Sequence, residues 1–314
     1  VDTGGSTTRR RSVIEAVGRK YGAEAVQAGD IGAAFALIRL AKPGIVAAVL
    51  LAGYAGMVTA ARGLPEARTA ALCLAALLLS AAGSAMLNGL LDAPLDRRMA
   101  RLRVRVRAFD AIGGTRLLFI ALTCIGSALF LSLLLNRLVV LLILGAVIFY
   151  TLAYTLILKR RSPWGAVPGG IPGALPVLIG QAAVTGSIDM AGMTLFMVIF
   201  LWQPPHFWAL ALHHQDDYRA AGLPVLPVAC GEGYTRALIL LYVSALLPAT
   251  LALPLTGCCS PLFAALAAAL WLWFLAACCR HAVRARRYER AFRASIIYLT
   301  LLLAAVIFDI TLVH

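Results

Sequence analysis

Charge is scarce in this sequence. Only 13% of its 314 residues are charged, and 61% are hydrophobic, whereas soluble domains carry about 25% charged residues. So little polar surface cannot cover so large an apolar content in water, which excludes a soluble globular protein. Acidic residues are scarcer still, with 14 Asp and Glu against 28 Lys and Arg and a net charge of +14. The seven cysteines lack metal-ligand spacing. Neither vicinal pair, Cys258 with Cys259 or Cys278 with Cys279, reads as a disulfide framework, so all seven read as small apolar packing residues. The apolar runs do not alternate with polar residues, which excludes a membrane β-barrel.

What is present is long apolar stretches, at about 43–61, 70–91, 117–135, 138–158, 165–184, 190–212, 237–255, 262–279 and 294–313. Each approaches the ~20 residues a helix needs to cross ~30 Å of hydrocarbon, and in lipid a helix satisfies its own backbone. The fold expected is all-α and polytopic, nine transmembrane helices around a central cavity.

The basic residues orient these spans. Twenty-five of the 28 Lys and Arg precede span 1 or fall in the even-to-odd connections, and only Arg62, Arg68 and Arg137 lie in the others. That asymmetry predicts a cytoplasmic N-terminus and even-to-odd loops, with His314 outside. Topology and the lipid bilayer, with its anionic headgroups, account for the net charge, and no nucleic-acid partner is implied. Residues 1–41 are expected to form a cytoplasmic segment and 42–314 the membrane domain. Arg9 to Arg11 precede no apolar core, so no cleavable signal peptide is read there. Val13, Ile14, Val17 and Tyr21 sit at helical spacing that suits either a membrane-surface helix or a loose tail.

The predicted cytoplasmic face carries nearly all the polar chemistry. At the end of span 2, NGLLDAPLDRR places Asn88, Asp92 and Asp96 four residues apart, so that each step advances only ~40° around a helix. Pro94 removes one helical hydrogen bond, so the helix either kinks or ends near Asp92. Carboxylates near a bilayer are costly and repel each other, so a cation is their natural partner. Oxygen-only ligands select a hard ion, and Mg²⁺ uses one or two carboxylates together with waters and substrate phosphates. Arg97, Arg98, Arg101, Arg103, Arg105 and Arg107 follow directly, and guanidinium forks suit phosphate oxygens. A diphosphate substrate fits both features. The competing reading is a helix cap whose acids pair internally with anchoring arginines.

Two other ends share this face. Span 4 closes with Lys159, Arg160 and Arg161, an ordinary cytoplasmic anchor unless the acids lie beside it, where it would neutralise a leaving diphosphate. Span 5 carries Pro168, Pro172 and Pro176 among five glycines, which predicts either a cavity wall or close helix packing. In span 6, Trp202, Gln203, Pro204 and Pro205 precede His206, followed by Phe207 and Trp208. An intramembrane histidine in that company reads as a ligand-facing group, able to ligate a porphyrin iron or move a proton, rather than as a core hydrogen-bond partner. Asp216, Asp217 and Tyr218 form a second acidic cluster without a second D-x-x-x-D, and GLPVLPV at 222–228 reads as a lid.

Taken in order, N-x-x-x-D-x-x-x-D-R-x-M after span 2, Y-T-x-x-L-K-R-R-S-P-W after span 4, and W-Q-P-P-H-F with D-Y and G-L-P-V-L-P-V after span 6 resemble the UbiA superfamily of intramembrane prenyltransferases, and within it the branch that farnesylates protohaem IX. The resemblance runs from Lys42 and Pro43 to the C-terminus. It implies a magnesium-dependent transfer from farnesyl diphosphate to haem b, with the haem a substrate rather than a cofactor, in the inner membrane of a bacterium. Asn88, Asp92 and Asp96 would hold Mg²⁺ and, with Lys159, form the catalytic group. Arg97, Arg101, Arg105, Lys159 and Arg160 would bind diphosphate. His206 would meet the haem, with Trp202, Gln203, Phe207, Trp208, Asp217 and Tyr218 around the acceptor. The resemblance also implies a haem A synthase or a haem-copper oxidase assembly as recipient of the product. Two other readings stand beside it. A phenolic or quinone-precursor acceptor would keep the enzyme class, whereas a transporter or haem-carrying protein would scatter ionisable groups at mid-membrane or pair histidines on two helices.

Overall fold

The computed structural model describes residues 32–313, and among these every regular element is helical. The spaced Val13, Ile14, Val17 and Tyr21, and Arg9 to Arg11, lie outside the described residues. A short α1 (Ala33–Ala41) turns at Lys42 into α2 (Pro43–Ala61). Then come α3 (Ala67–Asp96), α4 (Arg103–Ile112), α5 (Gly114–Leu133) and α6 (Arg137–Arg161). The second half has α7 (Ile171–Thr185), α8 (Met190–His213), the short α9 (Gln215–Ala220) and α10 (Leu226–Ala229), and the long α11 (Glu232–Leu255), α12 (Pro261–Arg284) and α13 (Tyr288–Val313).

Eight of these, α2, α3, α5, α6, α8, α11, α12 and α13, are long and apolar enough to cross a membrane. The chain is a multi-pass membrane protein. The fifth expected run, 165–184, departs from the other eight, because its first residues form a turn of 3₁₀ helix at Pro168–Gly170 and leave α7 only 15 residues. Two of its prolines stand where helices begin, Pro168 opening the 3₁₀ turn and Pro172 opening α7. There the missing N–H has no partner to lose. Only Pro176 lies inside the helix.

α7 is held by α2, α3, α6 and α8. Its glycines serve packing, since a Cβ on Gly56 of α2 would lie 2.1 Å from the Val177 carbonyl oxygen, and one on Gly180 would lie 2.0 Å from that of Gly53. Small residues bring the two backbones together, where lipid gives no hydrophobic drive. Around this pair one apolar core joins α2, α7, α8, α11, α12 and α13, with Trp208, Phe263, Phe274 and Tyr298 fully buried. A second joins α2, α3, α5, α6 and α7. At the ends away from the acidic residues, Asn136, Asp189 and Ser260 cap α6, α8 and α12 by accepting from the backbone N–H three residues on, each cap worth about 1 kcal/mol. Asp309 accepts from the Ser260 N–H at 2.7 Å and ties α13 to α12 there.

Candidate active site

α3 runs unbroken through Pro94 to Asp96, so Asn88, Asp92 and Asp96 stand on one helix. The proline ring is on the exposed side, while all three polar residues are buried. Beside the proline, Arg160 donates to the Leu91 carbonyl at 2.8 Å.

Three other elements bring positive charge to this face. From the α1–α2 bend, Lys42 Nζ donates to Asn88 Oδ1 at 2.6 Å. From α6, Lys159 Nζ lies 2.5 Å from Asp92 Oδ2, and an Arg160 guanidinium nitrogen 3.7 Å from Oδ1. From α4, Arg105 pairs with Asp96 at 3.1 Å and reaches Asn88 Oδ1 at 3.5 Å. The Asn88 amide donates to Asp92 Oδ2 at 2.9 Å and to Thr155 Oγ1 at 3.0 Å. α6 reaches this position through a wider helical turn, since Phe149–Leu158 is π-helical. Such insertions recur at functional sites. Burial, with Arg105 and Lys159 nearby, pushes the Lys42 ammonium down to about 7.

The arginines divide by side. Arg101 and Arg105 turn inward, while Arg98, Arg103 and Arg107 are exposed. Arg97 borders the small cleft beside Asp96 and Arg105, but its guanidinium is paired on the surface with Asp110 at 2.5 Å. Arg101 reaches the third loop, where its Nε lies 3.5 Å from Asp217 and its guanidinium 4.9 Å from the centre of the Tyr218 ring. Asp217 also accepts from the Ala100 N–H at 3.2 Å. Met99 is buried against Tyr218, Leu223 and Val225. The 222–228 segment therefore packs onto the first loop, and Gln215 donates to the Pro227 carbonyl at 2.9 Å. Asp216 stays on the surface with Arg219.

His206 lies on α8 with its ring between Trp202 and Phe292, at centroid distances of 4.4 and 4.5 Å, and its Nδ1 2.7 Å from Ser295 Oγ. Gln203 donates to the Gly170 carbonyl at 2.8 Å. Phe207 stands 6.2 Å from Tyr218. Trp208 is fully buried and packs edge-on to Trp164 and Tyr242, facing the core.

Residues 49–304 match the UbiA prenyltransferase family. The chain belongs to that family. A relative named protoheme IX farnesyltransferase, from Geotalea uraniireducens (strain Rf4), is 55% identical over 255 residues, 81% of this chain and 98% of that protein. A protein of the same name from Frankia casuarinae is 39% identical over 275 residues, 86% of this chain and 95% of that one. Among solved structures, the apo form of a UbiA homolog from Aeropyrum pernix K1 aligns with a TM-score of 0.69 at 19% identity, over 85% of this chain and 98% of that chain. A UbiA homolog from Archaeoglobus fulgidus bound to DMAPP and Mg²⁺ aligns at 0.63 and 15% identity, over 86% and 98%. At those identities the likeness is one of fold.

Within this UbiA-family site, Asp92 Oδ1 is buried and accepts no hydrogen bond. A buried carboxylate oxygen with only the Arg160 charge 3.7 Å away, beside a second carboxylate and an amide oxygen, is a donor set for a hard divalent cation. Among the described residues no three His, Cys, Asp or Glu side chains gather as a ready-made cage, so such an ion would complete its shell with oxygens from outside the chain. In the structure the Lys159 and Arg105 charges offset Asp92 and Asp96 in that place.

Three participants escape a reading by motif. Lys42 looks like one more positive-inside anchor, whereas Thr155 stands in the span 4 motif without a role assigned to it there. Phe292 and Ser295 lie 86 and 89 residues beyond His206. The one signal within the sequence is that Ser295 is a polar residue inside an apolar run.

Proposed function

We propose that this protein transfers the farnesyl group of farnesyl diphosphate to a vinyl group of haem b, making haem O and releasing diphosphate. Its 55% and 39% identical relatives carry the name protoheme IX farnesyltransferase, which supports this reading. The observation that supports it most directly is the meeting of four cations on one buried triplet, Arg105, Lys159 and Arg160 on the carboxylates Asp92 and Asp96 and Lys42 on the Asn88 amide oxygen. Positive charge in such excess over the site's own acids suits a ligand that brings several negative charges of its own.

Asn88, Asp92 and Asp96 would hold Mg²⁺. When bound, the ion supplies charge that stabilises the leaving diphosphate oxygens. Lys159, Arg105 and Arg160, now paired with the carboxylates, and Lys42, now on Asn88, would bind those oxygens, joined by Arg101 from the same loop as Arg105. The allylic carbon–oxygen bond breaks, with its electron pair leaving on diphosphate. A vinyl carbon of haem b attacks the farnesyl cation, and water adds to the cation left on the haem side chain and loses a proton, completing a hydroxyethylfarnesyl group. His206, between Trp202 and Phe292, would meet the haem, with Gln203, Phe207 and Tyr218 along the approach, while Asp217 would hold Arg101 on the diphosphate side. The apolar surroundings of the bundle keep water from the cation before attack.

The Lys and Arg asymmetry supports a cytoplasmic N-terminus and an outside C-terminus, and the membrane would be the inner membrane of a bacterium. Residues 1–41 would form a cytoplasmic segment before the membrane domain of 42–314, and a haem A synthase or a haem-copper oxidase assembly would take the product. The test is to incubate purified protein with haem b, farnesyl diphosphate and Mg²⁺ and to analyse the pigment by mass spectrometry. Farnesylated haem is expected. Its absence, with product from a phenolic acid instead, would replace the acceptor and keep the reaction class.

A further inference from the structure

Ser295 makes contacts that decide which nitrogen of His206 carries a proton. A serine hydroxyl has one hydrogen to give. The Ser295 hydroxyl donates to the Phe292 carbonyl at 2.6 Å, one helical turn back. Its oxygen lies 2.7 Å from His206 Nδ1, and while its hydrogen is on the Phe292 carbonyl, which can only accept, it accepts there. In that arrangement Nδ1 carries the hydrogen, and in a neutral imidazole this leaves the lone pair on Nε2.

The rest of the surroundings fix the ring as well as the tautomer. Trp202 and Phe292 cover its two faces, with interplanar angles of 22° and 28°. Trp202 Nε1 also donates to the Ser295 carbonyl at 2.8 Å, so α8 grips α13 at the same residue twice. Among the described residues Nε2 has no hydrogen-bond partner, and it is not one of the enclosed, unpartnered polar atoms. It is the edge left for a ligand.

We infer that Ser295 is a positioning residue that holds His206 in the Nδ1–H form, so that its Nε2 lone pair is presented to the iron of the acceptor haem. This rests on the haem reading of the site and adds what sets the ligand. Metal-binding histidines commonly donate their second N–H to an oxygen of the protein, and loss of that partner costs about 10- to 100-fold in metal affinity.

The experiment is a titration of the purified full-length protein with ferric haem b, followed by its absorption and electron paramagnetic resonance spectra. Wild type should show a histidine-bound iron signature, and His206→Ala should lose it. Ser295→Ala should bind haem about 10- to 100-fold more weakly with a reduced share of that signature, and Ser295→Thr, which keeps the hydroxyl, should restore it. A His206→Ala effect with an unchanged Ser295→Ala spectrum and affinity overturns the inference while leaving the haem reading in place. No His206→Ala effect removes the iron ligand and the inference together. Independently of folding in the variants, ¹⁵N spectra of histidine-labelled, haem-free wild type, with His206→Gln for assignment, should show protonated Nδ1. Protonated Nε2 would overturn the inference.

Discussion

Lys159 and Asp92 are 67 residues apart in sequence and 2.5 Å apart across the junction of α6 and α3. Asp92 is all but inaccessible and takes a second bond from Asn88. One partner thus belongs to a motif of acids and the other to what reads as a loop anchor. Their contact makes the two cytoplasmic ends a single site.

Asp92→Ala should abolish farnesyl transfer, a loss of at least about 100-fold by comparison with other preorganised electrostatic groups, while ferric haem still binds. Activity and haem titration on the same preparation check this. Loss of haem binding would break the division between the diphosphate end and the His206 end.

Chelation of divalent metal should stop turnover and leave the haem spectrum unchanged, because Asn88, Asp92 and Asp96 lie on α3 and His206 on α8. Added Mg²⁺ should restore activity. Full turnover in excess chelator would remove the metal from the proposed site.

Asp217 is bonded to the first loop, through the Ala100 N–H and the Arg101 guanidinium. Asp217→Asn should raise KM for farnesyl diphosphate about fivefold, the weight of about 1 kcal/mol for a partly exposed pair, with KM for haem b unchanged. A rise in the haem KM alone would place the carboxylate against the acceptor.

His214 lies in the turn after α8, where burial, with Arg101 and His213 nearby, holds its imidazole down to about 4. The unfolded residue takes a proton near 6.5, so the stability linked to neutral His214 is complete above that pH and is lost as pH falls toward 4. Between pH 7 and 5 the thermal midpoint of wild type should fall further than that of His214→Gln. Parallel curves would show no such linkage.

Gly56→Ala forces a methyl group toward the Val177 carbonyl and should destabilise the α2–α7 contact by about 1–3 kcal/mol. Gly145→Ala, whose Cβ meets nothing within 4 Å, is the control. Thermal unfolding in detergent compares the two.

The membrane fold was legible because lipid forces an apolar run to become a helix, and the Asn88, Asp92 and Asp96 triplet because its spacing matches one helical face. The path of the backbone was less so. Pro94 permits either a break or a helix that carries on past it, and the helix carries on to Asp96. The π-helical stretch of α6 is invisible in an apolar run, which reads the same at 3.6 residues per turn or more. Ser295 and Lys42 act through bonds spanning 89 and 46 residues, and local periodicity carries no record of such pairings.

The bend at Lys42 has φ 57° and ψ 68°, a left-handed geometry that glycine tolerates and lysine resists. Glycine there would relieve about 1–2 kcal/mol of steric cost but leave Asn88 Oδ1 without its ammonium donor. The backbone therefore favours losing the side chain that the acidic face retains. A stabilised variant selected at this position would be expected to surrender catalysis, which makes residue 42 a place where folding and chemistry compete within a single amino acid.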